Sequence, residues 1–352
     1  MRSPTQQQLR PDQVAGLVLA ATGVDVIRSA ELGGGGFAAV WRVDLAEPVD
    51  VLDLPDGPAG VGSATTLVLK AGPPSGTPLL TYEAGMIPAE AEYLRLVAVG
   101  APAVPVPRVV RQGRGGGVEG DWVLTTFLPG TPLPDLPAGV GGRVRHDVGA
   151  ALHAVHEITG DRFGYDGPRP HGTTWRAAFT AILASLMDDA GRWALPPAHL
   201  PARRVEAALD RHGAVLDEAT RPALLHFDLW DGNVLASPAR SGDAAGEHRM
   251  TGLVDGERYL FGDPLVDLVS PALFRRIEDE PEHPVLAGYA EASGAPLVLD
   301  DGARTRLALY RVWLHVLMTV EMPSRGMTGP DADRRRELVT RLLDEDLTRL
   351  GV

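Results

Sequence analysis

The octapeptide HFDLWDGN, residues 226–233, sets Asp228 and Asn233 on either side of a turn eased by Gly232, just ahead of the strand-like run at 234–236. A carboxylate on such a loop can face a substrate hydroxyl and take its proton, while the downstream amide oxygen is a ligand for a hard cation. Further on, TGLVDGERYLFGDPLVDL (251–268) ends a short apolar strand with Asp255 and follows it with Gly256. An aspartate there can chelate Mg²⁺, which takes oxygen ligands and bridges nucleotide phosphates.

Lys70 is the one lysine among 33 lysine and arginine residues. Heavy use of Ala, Gly, Pro and Arg fits the codon bias of a GC-rich genome, so a retained lysine marks a place where a guanidinium does not serve. It stands near the end of the alternating TTLVLKA (65–71), from which an ammonium could reach phosphate oxygens; a carboxylate must then hold it. The stretch IPAEAEYLRLVAVG (87–100) offers Glu90 and Glu92 on different helix faces. Glu90, earlier in the helix, is preferred, with Glu92 left open. Ahead of both, LGGGGF (32–37), with Gly34 and Gly35 at its centre, falls between two strands, where glycine lets backbone amides approach a phosphate closely. It does not match GxxxxGK[ST] and no helix follows at once, which excludes a Walker or Rossmann loop.

The elements that must position these groups fall into two kinds. Apolar spacing predicts a helix over 11–23, ended by Gly23, then strands over 24–30, 37–45 and 65–71, with a Pro/Gly-rich surface loop at 46–64. A helix over 87–100 and strands near 107–112 and 121–127 complete a small sheet interrupted by one helix. After the turn-rich LPGTPLPDLPAG (128–139) the pattern becomes helical, over 143–158, 174–190, 201–216, 302–322 and 331–349, with short strands near 223–236 and 250–255. This shift predicts domains at 1–128 and 129–352. His153 and His156 share a helix face and read as packing or polar contacts. Trp122, Trp175, Trp230 and Trp313 read as core or lobe-packing residues, with Trp230 the only one also placed to touch substrate, and RRIEDEPEH (275–283) reads as a solvated acidic loop.

The 352 residues, 44% hydrophobic, can fill a sizeable core, and a net charge of −13 argues against a nucleic-acid partner, which needs clustered cations. With no cysteine, disulfides and cysteine-bound metals are excluded. No apolar run approaches a bilayer span and MRSPTQQQLRPDQ lacks a hydrophobic signal core, so the expectation is a cytoplasmic protein with no membrane partner.

The ordered set Lys70, Glu90, HxDxxxxN at 226–233 and Asp255-Gly256 resembles the eukaryotic-like kinase superfamily. Within it, HFDLWDGN with GDPLVDL is similar to the aminoglycoside phosphotransferase and fructosamine kinase family. The resemblance extends more weakly over nearly the whole chain, including LHAVH (152–156) and FGY (163–165). It implies an α+β, bilobal protein-kinase-like fold, the N-lobe an antiparallel sheet plus helix and the C-lobe mainly helical. The implied reaction is Mg²⁺-dependent transfer of the γ-phosphate of ATP or GTP to a hydroxyl of a small molecule, an antibiotic in a self-resistance role. The alternatives are a fructosamine or ketosamine kinase and a non-catalytic nucleotide-binding pseudokinase. Carried over by position, Lys70 would hold the donor phosphates with Glu90 orienting it, and Asp228 would be the catalytic aspartate. Asn233 and Asp255 would be the Mg²⁺ ligands, His226 a loop-shaping residue, and Asp263 and Asp267 structural carboxylates. Backbone groups of Thr125, Thr126, Phe127 and Leu128 would pair with the base. Phe227 departs from the small residue usual after the histidine, Gly256-Glu257 departs from Phe-Gly, and the activation segment of protein kinases is missing, which argues against a phosphorylation-gated protein kinase.

Overall fold

Pro11 opens helix α1 (Pro11–Thr22), and Gly23, at φ 76°, closes it by donating its N–H to the carbonyl of Leu19. Strands β1 (Val26–Leu32), β2 (Ala39–Asp50) and β3 (Ser63–Ala71) follow, then helix α2 (Met86–Gly100) and strands β4 (Val109–Arg114) and β5 (Asp121–Thr126). The computed structural model describes residues 2–33, 35–51, 62–239 and 247–352. Among these, the five strands form one antiparallel sheet in the order β1-β2-β3-β5-β4.

Side chains alternate across a strand, so Leu67, Leu69 and Ala71 of β3, with Trp41, Val43 and Leu45 of β2, face one way and bury against Val14, Leu17 and Val18 of α1. Lys70 therefore emerges on the other face, toward α2. That helix sets Met86, Glu90, Leu94 and Val97 at core-facing spacing, and Glu90 is the charged member of this otherwise apolar stripe.

The loop expected over 46–64 is shorter than that. β2 runs on to Asp50 and β3 begins at Ser63, pairing Val49 with Ala64 and Asp50 with Ser63 after an irregularity between Asp44 and Val49. Residues 52–61 of that expectation lie outside the described residues. Cross-strand pairing beyond a bulge overrides the turn-forming composition of the strand ends.

The second lobe is mainly helical, with α3 (Gly141–His156), α4 (Trp175–Arg192), α5 (Ala202–His212), α6 (Pro284–Ser293), α7 (Asp301–Ser324) and α8 (Pro330–Arg349). Its short strands are β6 (Thr131–Pro132), β7 (Phe163–Gly164), β8 (His171–Gly172), β9 (Ala223–Leu225), β10 (Val234–Pro238), β11 (His248–Leu253) and β12 (Leu260–Gly262). They form sheets in the orders β11-β10-β6 and β8-β7-β12-β9. The whole is the expected bilobal, protein-kinase-like α+β fold. Helix α7 runs through the lobe's centre, where Trp313 and Tyr310 pack with Trp175 and Phe179. The Trp175 indole donates to the Tyr310 hydroxyl at 2.7 Å, which donates to Asp263 at 2.7 Å, so these two rings keep their polar atoms satisfied, whereas the buried Trp313 Nε1 has no partner among the described residues.

Two expectations are corrected here. The stretch 275–283 is not wholly solvated: Glu278 is buried and pairs with Arg311 at 2.8 Å, while His283 caps α6, a helix the apolar spacing had not predicted. The helix expected over 201–216 ends at His212 and continues as a short 3-10 run, Gly213–Glu218. Helices α3 and α6 cross closely at glycines. A Cβ on Gly288 would stand 1.9 Å from the carbonyl oxygen of His146, and one on Gly149 2.1 Å from that of Val285. No helix among the described residues is long and apolar enough to cross a membrane.

Ahead of α1, residues Ser3 to Gln7 lie across the sheet lobe and meet the end of α7. Thr5 is fully buried, and its hydroxyl accepts from Arg325 Nη1 at 3.4 Å. Gln7 donates to the carbonyl of Gly72 at 2.6 Å.

Candidate active site

The apolar strand β9 delivers His226 into a turn held by a single carboxylate. Asp267 accepts the main-chain N–H of His226 at 2.8 Å and of Phe227 at 2.6 Å, and His226 Nε2 lies 3.0 Å from the carbonyl of Val254. Phe227 takes a left-handed φ of 68°, strained for a bulky residue. Two contacts hold it there: its ring stacks on Trp313 with centroids 4.3 Å apart, and its carbonyl accepts from Ser270 at 2.5 Å. The large residue after the histidine is thus an anchor to α7. Asp228 follows, and Asn233 closes the loop by donating Nδ2 to the Asp228 carbonyl at 2.7 Å, which leaves its Oδ1 as the acceptor end.

Asp255 also has a left-handed backbone, φ 64°. Gly256 beside it meets Tyr93 of α2 so closely that a Cβ would fall 2.1 Å from the ring. This contact brings the 255–258 turn against α2, and the charged groups converge. The Lys70 ammonium donates to Glu90 Oε1 at 2.5 Å and to Asp255 Oδ1, and Glu257 Oε2 is 3.7 Å away. Glu92 instead pairs with Arg95 on the outer face of α2, at 3.9 Å, so Glu90 is the partner of Lys70.

Burial works against the Lys70 charge, but Asp255, Glu90 and Glu257 outweigh it and raise its pKa well above the ordinary value. Three carboxylates around one ammonium cannot all ionise cheaply. Burial would raise Asp255, yet Lys70 holds it below the usual carboxylate range. Glu257 is pushed up to about 8 by burial, with Asp255 and Glu90 adding to the effect. Asp228 is raised as well, chiefly by burial, with Arg258 opposing.

Asp228 does not face the cleft alone. Arg258 Nε lies 3.4 Å from Asp228 Oδ2, and its Nη2 is 2.9 Å from Glu321 of α7. Glu321 also accepts from the Tyr82 hydroxyl, and Arg325 pairs with Glu83 at 2.5 Å. The cleft holds about 360 Å³. Gly35 and Phe37 line its roof, Lys70, Glu90, Asn233 and Asp255 its interior, and Asp228, Trp230, Arg258, Glu321, Arg325 and Arg335 the side beyond. Trp230 is 41% exposed.

The donor set fits a hard cation. Carboxylate oxygens of Glu90, Asp255 and Glu257 lie within 4.8 Å of one another, and Glu90 Oε2 and Glu257 Oε2 are buried without a hydrogen-bond partner. Asn233, which lines the same cleft, adds an amide oxygen, so every donor in this set is oxygen, as Mg²⁺ requires.

Gly34 lies outside the described residues. The expected base-pairing segment stands away from the described lining of this cleft. The Thr126 N–H donates to the carbonyl of Arg108 at 2.8 Å and the Phe127 N–H to that of Thr66 at 3.2 Å, so both amides are engaged within the sheet lobe. Arg42 covers the Phe127 ring at 4.7 Å, and Leu128 packs over Gly252. His156 and His153 make the expected packing and polar contacts: His156 lies 3.2 Å from Asp267, and the His153 ring meets Tyr289 edge-on. Glu257, Arg258, Glu321, Arg325 and Gln6 were not anticipated. The one available signal was a run of charged residues, Glu257-Arg258 after Asp255 and Glu321 inside the apolar LHVLMTVEM, where a core helix carries a charge only with a partner.

A profile of the phosphotransferase enzyme family matches residues 60–310. No curated protein matches the chain in sequence. Among solved structures, a Thermobifida fusca protein provisionally named a fructosamine-3-kinase is 24% identical, with a TM-score of 0.61 over 94% of this chain and 98% of that one. A thermostable mutant of aminoglycoside phosphotransferase APH(4)-Ia, in ternary complex with ADP and hygromycin B, is 19% identical, with a TM-score of 0.63 over 97% and 99%. Spectinomycin phosphotransferase APH(9)-Ia, in complex with ADP and spectinomycin, is 13% identical, with a TM-score of 0.55 over 98% and 99%. At these identities the likeness is one of fold.

Proposed function

The chain belongs to the phosphotransferase enzyme family, whose members are small-molecule kinases, and on that premise we propose that it moves the γ-phosphate of ATP or GTP to a hydroxyl of a small molecule with Mg²⁺. The observation that carries this reading is the convergence of Lys70, Glu90, Asp255, Asn233 and Asp228 on one cleft. Residues 1–128 would supply the nucleotide-binding lobe and 129–352 the catalytic and acceptor lobe.

In this reading Lys70, held by Glu90, binds donor phosphate oxygens as a compact charge, and the glycine loop at Gly35 covers them. Asn233 and Asp255 would hold Mg²⁺, which when bound neutralises charge on the triphosphate; Glu90 and Glu257 offer further oxygens nearby. Asp228 orients the acceptor hydroxyl and takes its proton as that oxygen bonds to the γ-phosphorus and the bond from this phosphorus to the β–γ bridging oxygen breaks, releasing the nucleoside diphosphate. Burial raises the pKa of Asp228, which makes the carboxylate a stronger base toward that proton. Arg258 steadies the carboxylate. Thr126, Phe127 and Leu128 are kept as the proposed base-reading segment through groups other than the Thr126 and Phe127 amides, which are engaged within the sheet.

The acceptor we favour is an antibiotic, in keeping with relatives whose structures contain hygromycin B and spectinomycin. A ketosamine acceptor is the second reading, and one feature supports it. Beyond Asp228 the cleft carries Arg258, Arg325 and Arg335 against the carboxylates of Asp228 and Glu321. Arg258 and Arg325 are already paired with Asp228, Glu321 and Glu83, so Arg335 is the guanidinium that an acceptor's carboxylate, such as that of a glycated amino acid, would meet. A phosphotransfer screen with Mg²⁺ and each nucleotide, over neutral and polycationic antibiotics and glycated amines, tests both. Absence of transfer to every hydroxyl compound, with nucleotide still bound, would leave the non-catalytic nucleotide-binding reading.

A further inference from the structure

Glycine loses the most backbone freedom on ordering, so the stretch from Gly35 to Ala38 needs outside contacts to hold one shape. Side chains from the segment ahead of α1 take up that role. Gln6 Nε2 donates to the carbonyls of both Gly35, at 2.9 Å, and Ala38, at 3.1 Å. The other end of the same amide is fixed too, because Gln6 Oε1 accepts the N–H of Ser3 at 3.1 Å. Both amide hydrogens and the oxygen are therefore engaged, which sets the orientation of the group. One residue earlier, the buried Thr5 hydroxyl donates to the carbonyl of Gly36 at 3.1 Å.

The result is a division of labour within the loop. The carbonyls of Gly35, Gly36 and Ala38 are bound by this segment, whereas among the described residues no main-chain N–H from Gly35 to Ala38 donates a hydrogen bond. Gly35, Gly36, Phe37 and Ala38 all line the cleft that holds Lys70 and Asp255. Carbonyls satisfied by the segment beside the loop and amides without a partner make a concavity that suits an anion.

We infer that Gln6 is a positioning residue for the donor triphosphate, pre-ordering the glycine loop so that its amides meet the phosphates without first having to be fixed. The inference rests on the nucleotide-binding reading above. Losing two hydrogen bonds that order the loop is expected to weaken nucleotide binding on the order of tenfold.

The test is calorimetric titration of the full chain with AMP-PNP and with GMP-PNP in the presence of Mg²⁺. Gln6→Ala removes the donors, and Gln6→Glu keeps the size while placing an acceptor against two carbonyls. Both should weaken binding about tenfold in chains that still unfold in one cooperative transition. In turnover with any accepted hydroxyl compound they should raise KM for the nucleotide more than they lower kcat. Gln13→Ala, which removes a similar donor from the carbonyl of Gly117 away from the cleft, should leave affinity unchanged. Gln6 variants that bind as tightly as the parent, or a Gln13→Ala variant weakened equally, would overturn the inference. A parent chain that binds neither nucleotide would overturn the nucleotide-binding reading itself, and this inference with it.

Discussion

Arg258 bridges Asp228 and Glu321, its Nε 3.4 Å from one carboxylate and its Nη2 2.9 Å from the other. Asp228 is thereby tied to the central helix of the second lobe. If Asp228 is the catalytic carboxylate, Asp228→Asn should cut kcat by roughly 10²–10⁴-fold while nucleotide affinity stays within a few fold. Arg258→Met should lower kcat by about 10–100-fold through misplacement of Asp228. Single-turnover kinetics beside nucleotide titration separates these outcomes, and an Asp228→Asn enzyme with near-normal turnover would refute the assignment.

Lys70 sits between Glu90 and Asp255 with a side-chain exposure of 12%, leaving no room for a planar fork. Lys70→Arg keeps the charge yet should lower kcat/KM by on the order of 100-fold, because a guanidinium cannot replace a compact ammonium at this spot. Retained activity in that variant would mean that only the charge matters.

Nucleotide and Mg²⁺ together should raise the thermal midpoint, with about 2.7 kcal/mol of stabilisation at a hundredfold excess over Kd. Chelation with EDTA should remove most of the increment, and Asp255→Asn should make it insensitive to Mg²⁺. A shift that survives chelation in the parent chain would place the metal outside the binding event.

His315, buried in α7, has its pKa pushed down to about 3 by burial, with the charges of Arg311 and Arg276 adding to the effect. Asp346 is 3.4 Å from its Nδ1, but that carboxylate is engaged by Arg311 at 3.0 Å and does not offset the shift. A histidine whose folded pKa is depressed contributes stability above its unfolded pKa of about 6.5 and loses it as pH falls toward 3. Urea titrations should show the parent losing up to about 1.4 kcal/mol per pH unit more than His315→Gln over that window. Parallel curves would show that His315 takes up its proton as readily in the fold as in the unfolded chain.

At the crossing of α3 and α6, Gly288→Ala should destabilise the chain by about 3 kcal/mol, since backbone has to move to admit the methyl group. Circular dichroism melts measure the loss, and nucleotide affinity of the folded protein should be unaffected.

Residue types and spacing made the heart of the site readable before any coordinates. Lys70 stood out because no other lysine was kept, and Asp228 with Asn233 because a turn separates them. The preference for Glu90 over Glu92 holds because α2 buries the first and leaves the second half-buried, a difference set by which face meets β3. What the sequence did not reveal depends on distant partners. Arg258 gains its meaning from Glu321, 63 positions later, and the carbonyls of the glycine run from Gln6, about 30 positions earlier. The extra length of β2 and β3 likewise comes from strand pairing rather than composition.

The chain's single side-chain amine lies inside this crevice, clasped by carboxylates that keep it protonated. Reagents that label, immobilise or cross-link proteins through ε-amines thus have one such address in the whole molecule. Any that succeed there would silence it, and a bound triphosphate would shield that address from modification.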